Sequence, residues 1–221
     1  QRSRSSIFLA LGLLVASGLP NGTPLIVPEN GLISLNVPLT DARLGSWSTR
    51  TTHPHTLALL RNALKHLGVT TPLETPYRFA TKGEMLRDAA DPGLARRVAR
   101  ATVSCAHPSQ FRLEVEPSRR RHDWPHCGTC VPCLIRRAAL ARVGWDGDDR
   151  YRLDVIGEAA VPVVVTQLTG GRGSDLRAFR IAVARRAARG VRAADLLRGG
   201  PLHVTSDEEM AALVRVQDEG L

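Results

Sequence analysis

The chain contains four cysteines, Cys105, Cys127, Cys130 and Cys133, and together they spell C-x21-C-x2-C-x2-C. Four thiolates are the ligand set of a tetrahedral metal site, and two-residue gaps let successive sulfurs converge on one ion. Gly128 can take the backbone turn between ligands, while Cys105 closes the tetrahedron from a separate stretch of chain. Such a site leaves no position open for a catalytic water, so its work is to staple two segments together. Zinc suits this set best. Iron–sulfur clusters commonly gather three or four ligands into one run. Disulfides suit small secreted scaffolds, and thiols spaced this closely pair poorly.

Two further groups have the chemistry of a small-molecule site. Lys82 opens a predicted helix, where the dipole prefers anions, so a cation there either serves a phosphate or carboxylate bound beside it or is a surface lysine. Glu29, Asn30, Arg50 and His53 are the candidate binding residues, with ordinary loop polarity as the alternative for each. Glutamate and asparagine carry the donor and acceptor types that read a purine-like edge, and Arg50 can fork onto a phosphate or carboxylate. Glu84 is expected to cap the helix that Lys82 begins. His53, in front of Pro54, suits a helix cap as readily as a ligand contact. Arg136 and Arg137 come one helical turn after the last cysteine; they either offset the negative charge of a tetrathiolate centre or face solvent. His107, His122 and His126 stand near the cysteines and become ligands only where a thiol fails. The glycines at 170–173, between an apolar run and a helix, have the form of a phosphate cradle but read as a joint before a helix cap.

These residues need a body to hold them, and 221 residues can bury a sizeable core. A net charge of +9 points towards a polyanionic partner, a nucleic acid or the phosphates of a nucleotide. Much of the arginine alternates with alanine, as at Arg96, Arg97, Arg185 and Arg186, and reads as solvated helix faces. Aromatics make up only 4% of the chain, too few to stack single-stranded bases, so nucleic acid is the secondary partner class.

The apolar stretch at 7–16 is shorter than the ~20 residues a membrane span needs, so no membrane is expected. It is predicted instead as a buried helix entering a sheet, in a chain whose true beginning is missing. Residues 24–27 predict a strand buried on both faces, and helix, turn, strand is the rhythm of a parallel α/β sheet. Residues 28–53 lack a period and are polar, at the carboxyl end of a strand where open α/β sheets bind ligands. Helices are predicted over 54–67, with Gly68 as the stop, from Thr81, over 131–143, over 174–189, and from Ser206 with Glu209 three residues on. Residues 75–77 are expected to be extended. The organisation expected is an α/β body over 1–150, including the knuckle at 105–133, and a helical tail over 151–221.

Thr81-Lys82-x-Glu84, then Ser104-Cys105, then Cys127-Gly-Thr-Cys130-Val-Pro-Cys133-Leu-Ile-Arg136 resembles the 7-cyano-7-deazaguanine synthase (QueC) family. The resemblance is firm over 75–145 and looser over 1–74. Residues 27–33 and 48–54 look like the QueC-like branch of Qat anti-phage operons. The resemblance implies an adenine-nucleotide α-hydrolase-like (HUP, PP-loop ATPase) parallel sheet, a structural Zn2+, and ATP with Mg2+ in the full-length protein. It implies a C–N ligase that activates 7-carboxy-7-deazaguanine by adenylation before attack by ammonia or an amine, and it makes Lys82 the candidate catalytic residue, contacting the activated carboxylate or a nucleotide phosphate. A partner protein of a defence operon and a cytoplasmic location are implied with it. The family's Ser-Gly-Gly-x-Asp-Ser loop is not found before residue 75, so a carboxy-terminal portion, incomplete at its amino side, is expected. The rival expectation is a basic zinc-knuckle module that binds nucleic acid or a protein and catalyses nothing.

Overall fold

A computed structural model describes residues 4–20, 22–41, 44, 50–107, 126–148, 151–155 and 173–221. The protein is mixed α/β and mostly helical, with one two-stranded parallel sheet among the described residues. Contacts divide it into two compact units, Gln1–Thr81 with Arg186–Leu221, and Lys82–Arg185. The basic stretch at 119–122, the apolar run at 161–168 and the glycines at 170–171 lie outside the described residues.

In the first unit, helix α1 (Arg4–Ser17) leads into strand β1 (Leu25–Ile26). Gly12 permits the contact, since a Cβ there would stand 3.0 Å from Leu25 Cδ1. Only one stripe of α1 is covered, with Leu13 and Ala16 buried, whereas Phe8 is 66% and Leu14 68% exposed. The expected buried helix is thus a helix with an open apolar side. β1 pairs in parallel with β2 (Leu73–Glu74), Leu25 opposite Leu73. Ile26 is exposed, so the strand predicted to be covered on both faces is covered on one.

Helix α2 (Gly31–Leu35) and helix α3 (Pro54–His66) make the crossover that a parallel pair requires. α3 starts on a proline, which needs no donor at that position. Arg61 of α3 then locks onto β2, its Nε and Nη2 donating to the Leu73 carbonyl at 3.2 and 2.9 Å. α2 was not expected. Gly31 in it is irreplaceable by size, because a Cβ would meet Arg78 O at 2.3 Å and Val216 Cγ1 at 2.6 Å. Residues 76–79 form a turn rather than continuing the strand, with Arg78 N–H donating to Thr75 O; Pro76 withholds the donor that extended pairing would use.

Later in the chain come helices α4 (Lys82–Arg87), α5 (Pro92–Ala101), α6 (Val131–Arg142), α7 (Ser174–Arg189), α8 (Ala193–Leu197) and α9 (Asp207–Gly220). α9 has the expected cap: Ser206 Oγ accepts from Glu209 N–H at 3.3 Å, while the Glu209 carboxylate accepts from Thr205 N–H at 2.9 Å. α9 closes the core of the first unit, where Leu35, Leu196 and Leu213 are fully buried against Phe79, Met210 and Val214. Each such side chain contributes about 1.5–3 kcal/mol.

In the second unit α4 lies against α6. A Cβ on Gly83 would stand 3.1 Å from Arg142 Cβ and 3.7 Å from Ala139 Cα, so glycine sets the close spacing. Asp175, at the start of α7, accepts from Val131 N–H at 3.3 Å and supplies an anion to the first turn of α6. A core cluster of this unit is small and made of Cys105, Cys130, Cys133 and Tyr151, with Cys127 at its edge.

Candidate metal centre

Cys127 and Cys130 sit on a turn, and Cys133 lies in the first turn of α6, whose N-cap is Cys130. Gly128 makes that turn possible. Its φ of +83° favours glycine, and a Cβ would lie 2.1 Å from the Leu153 carbonyl oxygen. The wall it faces is pinned by Arg152 N–H donating to His126 O at 2.9 Å and Leu153 N–H to Cys127 O at 3.3 Å. Backbone N–H groups turn inward onto the sulfurs: Cys130 and Thr129 donate to Cys127 Sγ at 3.3 and 3.4 Å, Ala106 to Cys130 Sγ at 3.5 Å, and His107 to Cys105 Sγ at 3.4 Å. Donors aimed at sulfur favour thiolate over thiol.

The four thiols are free and converge. Cys127 Sγ and Cys133 Sγ are 3.8 Å apart, which is about the edge, ~3.8 Å, of a tetrahedron with 2.3 Å metal–sulfur bonds. The thiol of Cys130, then that of Cys133, together with the Thr129 donors, hold Cys127 far below the usual thiol range. The reciprocal bond to Cys127 pushes Cys130 up to about 11, and the same bond raises Cys133. A divalent cation is the natural replacement for the protons that such crowded thiols share. The donor set fits a closed structural zinc site.

The residue that sequence reasoning did not place in the set is His107. Its ring nitrogen lies with the sulfurs of Cys105, Cys127 and Cys130 in a group whose ligand atoms are all within 4.8 Å of one another. A Cys-x-His spacing was the available signal, masked by the sufficiency of four cysteines. His126 is buried and stacks on Tyr151 at 5.4 Å; His122 lies outside the described residues.

Arg136 and Arg137 are both buried and brace the centre from two sides. Arg136 donates to Thr102 Oγ1 at 3.1 Å, to Ser104 Oγ at 3.3 Å and to the Ala99 carbonyl, holding the segment that delivers Cys105 to the helix that delivers Cys133. Arg137 pairs with Asp146 at 3.0 Å and Asp154 at 2.8 Å, and its guanidinium lies 4.8 Å over Tyr151, which packs on the cysteines.

The remaining candidates fall into two places. Lys82 is the half-buried first residue of α4, in the unit that carries the thiols. Glu29, Asn30, Arg50 and His53 belong to the other unit. Asn30 caps α2, its Oδ1 accepting from Ile33 N–H at 3.1 Å, and His53 caps α3, its Nδ1 accepting from His55 N–H at 3.3 Å. Ser34 Oγ donates to the Thr52 carbonyl and ties these two caps' segments together. Burial, then the charge of Arg50 and of His55, lowers the His53 pKa to about 4. Its Nε2 is buried without a hydrogen-bond partner among the described residues. Arg50 lies against residues 199 and 200, since a Cβ on Gly200 would stand 2.9 Å from its Nη1.

A groove of about 270 Å³ runs past Ser17, Thr23, Gly68, Thr70 and Thr71, before the strands rather than at their carboxyl ends, and has no charged side chain in its lining. Among the described residues no helix is long and apolar enough to cross a membrane. Compared with protein-family models, with curated proteins and with solved structures, the chain matches none of them.

Proposed function

We propose that the chain is a zinc-stapled α/β protein of QueC-like chemistry, serving ATP-dependent activation of 7-carboxy-7-deazaguanine by adenylation, with ammonia or an amine as the attacking nitrogen, within an anti-phage defence system. The observation that carries this reading is the convergence of the motif's four thiols, with Cys105 arriving from the separate segment that the resemblance requires. The metal's part is architectural. Bound there, it supplies a cross-link between the segment ending at Cys105 and the start of α6.

That cross-link bears on the placing of Lys82. α6, fixed at its first turn by Cys133, packs on α4, and Gly83 lets the two helices approach closely enough to set the amino end of α4. A lysine held at a helix amino terminus meets an anion together with the helix dipole. Its role in this reading is to stabilise the negative charge that grows on the acyl oxygen or on the transferring phosphoryl group. Among the described residues no glycine-rich loop comes after a strand as a phosphate cradle.

The test is AMP formation from ATP by the zinc-loaded protein offered 7-carboxy-7-deazaguanine and ammonium, comparing wild type with Lys82→Ala. Substrate-dependent AMP that disappears in Lys82→Ala, with zinc content unchanged, supports the reading. AMP release indifferent to the substrate, or to Lys82, overturns it.

A further inference from the structure

Five donors surround a centre that needs four. Cys105, Cys127 and Cys130 are common to two alternative sets, with Cys133 completing one and His107 the other. The two alternatives differ in place. Cys133 is wholly buried at the start of α6, whereas His107 is solvent-accessible and lies two residues past Cys105, whose sulfur accepts its N–H at 3.4 Å. That bond turns the chain back over the cluster and brings the imidazole nitrogen within 4.8 Å of three sulfurs.

We propose that His107 is a second fourth ligand, interchangeable with Cys133, and that it gives the centre a solvent-side route for exchange of its divalent ion. This rests on the reading of the thiols as a metal site. A site with four buried thiolates and nothing else has no donor to take the ion as a sulfur lets go. A nearby imidazole, an accepted ligand of zinc and of cobalt, can hold the ion while one sulfur leaves and pass it to a competing chelator. The exchange replaces one anionic ligand by a neutral one. The ion held by three thiolates and an imidazole is therefore less strongly neutralised than the ion held by four thiolates, and is more easily captured from outside.

Anaerobic Co2+ loading of the reduced full chain, monitored through its thiolate-to-metal absorption band, separates the alternatives. Wild type is expected to show the four-sulfur band. Cys133→Ser is expected to retain Co2+ with a weaker band shifted to shorter wavelength. Cys133→Ser with His107→Ala is expected to lose Co2+ affinity by a further factor of roughly 100, at the upper end of what removal of one supporting group costs. Independently, Zn2+ transfer from His107→Ala to an excess of chelator is expected to be slower than from wild type by about tenfold, an order-of-magnitude value for a lost ligand-shell contact.

Equal transfer rates for wild type and His107→Ala overturn the proposal, as does equal Co2+ affinity of the single and double variants. Where Cys133→Ser fails to fold, the transfer rates alone decide. A wild-type chain that takes up no Co2+ refutes the metal reading itself and this proposal with it; loading that is indifferent to His107 refutes the proposal alone.

Discussion

Gly128→Ala is the smallest change that reaches the knuckle, and the structure fixes how much it costs. At φ +83° an added Cβ is strained in any surroundings, by about 1–2 kcal/mol. The new carbon would also lie 2.1 Å from the Leu153 carbonyl oxygen, a backbone atom with no flexible end to swing aside. Segment 151–153 must therefore retreat, breaking the hydrogen bonds to His126 O and Cys127 O, at about 1 kcal/mol each. The sum is about 3–4 kcal/mol, and because folding and metal uptake are linked at such a site, zinc affinity falls by roughly 100-fold or more. Gly144→Ala is the control, with φ +72° and nothing within 4 Å, so it carries the backbone strain without the collision. The assay is competition for zinc against a chromophoric chelator, run on both variants beside wild type. A Gly128→Ala affinity no weaker than that of Gly144→Ala would refute the reasoning, since it would show that the wall at Leu153 does not shape the knuckle.

Three other perturbations act on named contacts. Arg136→Met removes the donors from Ala99 O, Thr102 Oγ1 and Ser104 Oγ, and urea unfolding of the zinc-loaded protein should show a loss of about 3 kcal/mol, of which Arg136→Lys, lacking the planar fork, recovers less than half. His53, buried neutral with a pKa lowered to about 4, is protonated in the unfolded chain below 6.5 but not in the folded one. Stability therefore rises with pH between about 4 and 6.5 and is lost as pH falls through that window; His53→Asn, which keeps an N-cap, should flatten the slope by up to one proton in denaturation curves taken across it. Gly31→Ala drives a methyl into Arg78 O and Val216 Cγ1 and should cost about 2–4 kcal/mol in the same measurement, within the range for overpacked cores and large single-site effects.

The thiol cluster was legible from sequence because the spacing of four cysteines is itself the pattern of a metal-ligand set and the chain has no other cysteine to compete with it. Helix ends were legible for the same local reason: Gly68, Ser206 with Glu209 and the proline at 54 act within one turn of themselves. α1 was legible as a helix but not as an open one, since apolarity on every side says what could be buried and not what there is to bury it against. α2 was invisible because five residues are too few to display a period. Arg136 could be suspected but not assigned, as its partners lie 32–37 positions earlier in the chain. Asn30 and His53 show a converse ambiguity. Side chains chosen for ligand chemistry have, as their observed partners, the N–H groups of the helices they begin, because the same lone pairs that read a ligand also satisfy the first turn of a helix.

The most direct measurement is the zinc content of the reduced chain, purified without oxygen and without a metal-affinity step, set beside Cys127→Ser and Cys130→Ser. The account predicts one tightly held zinc per chain in wild type and little in either variant. A reduced, folded wild-type chain that holds no metal and gains no stability when zinc is added would contradict it.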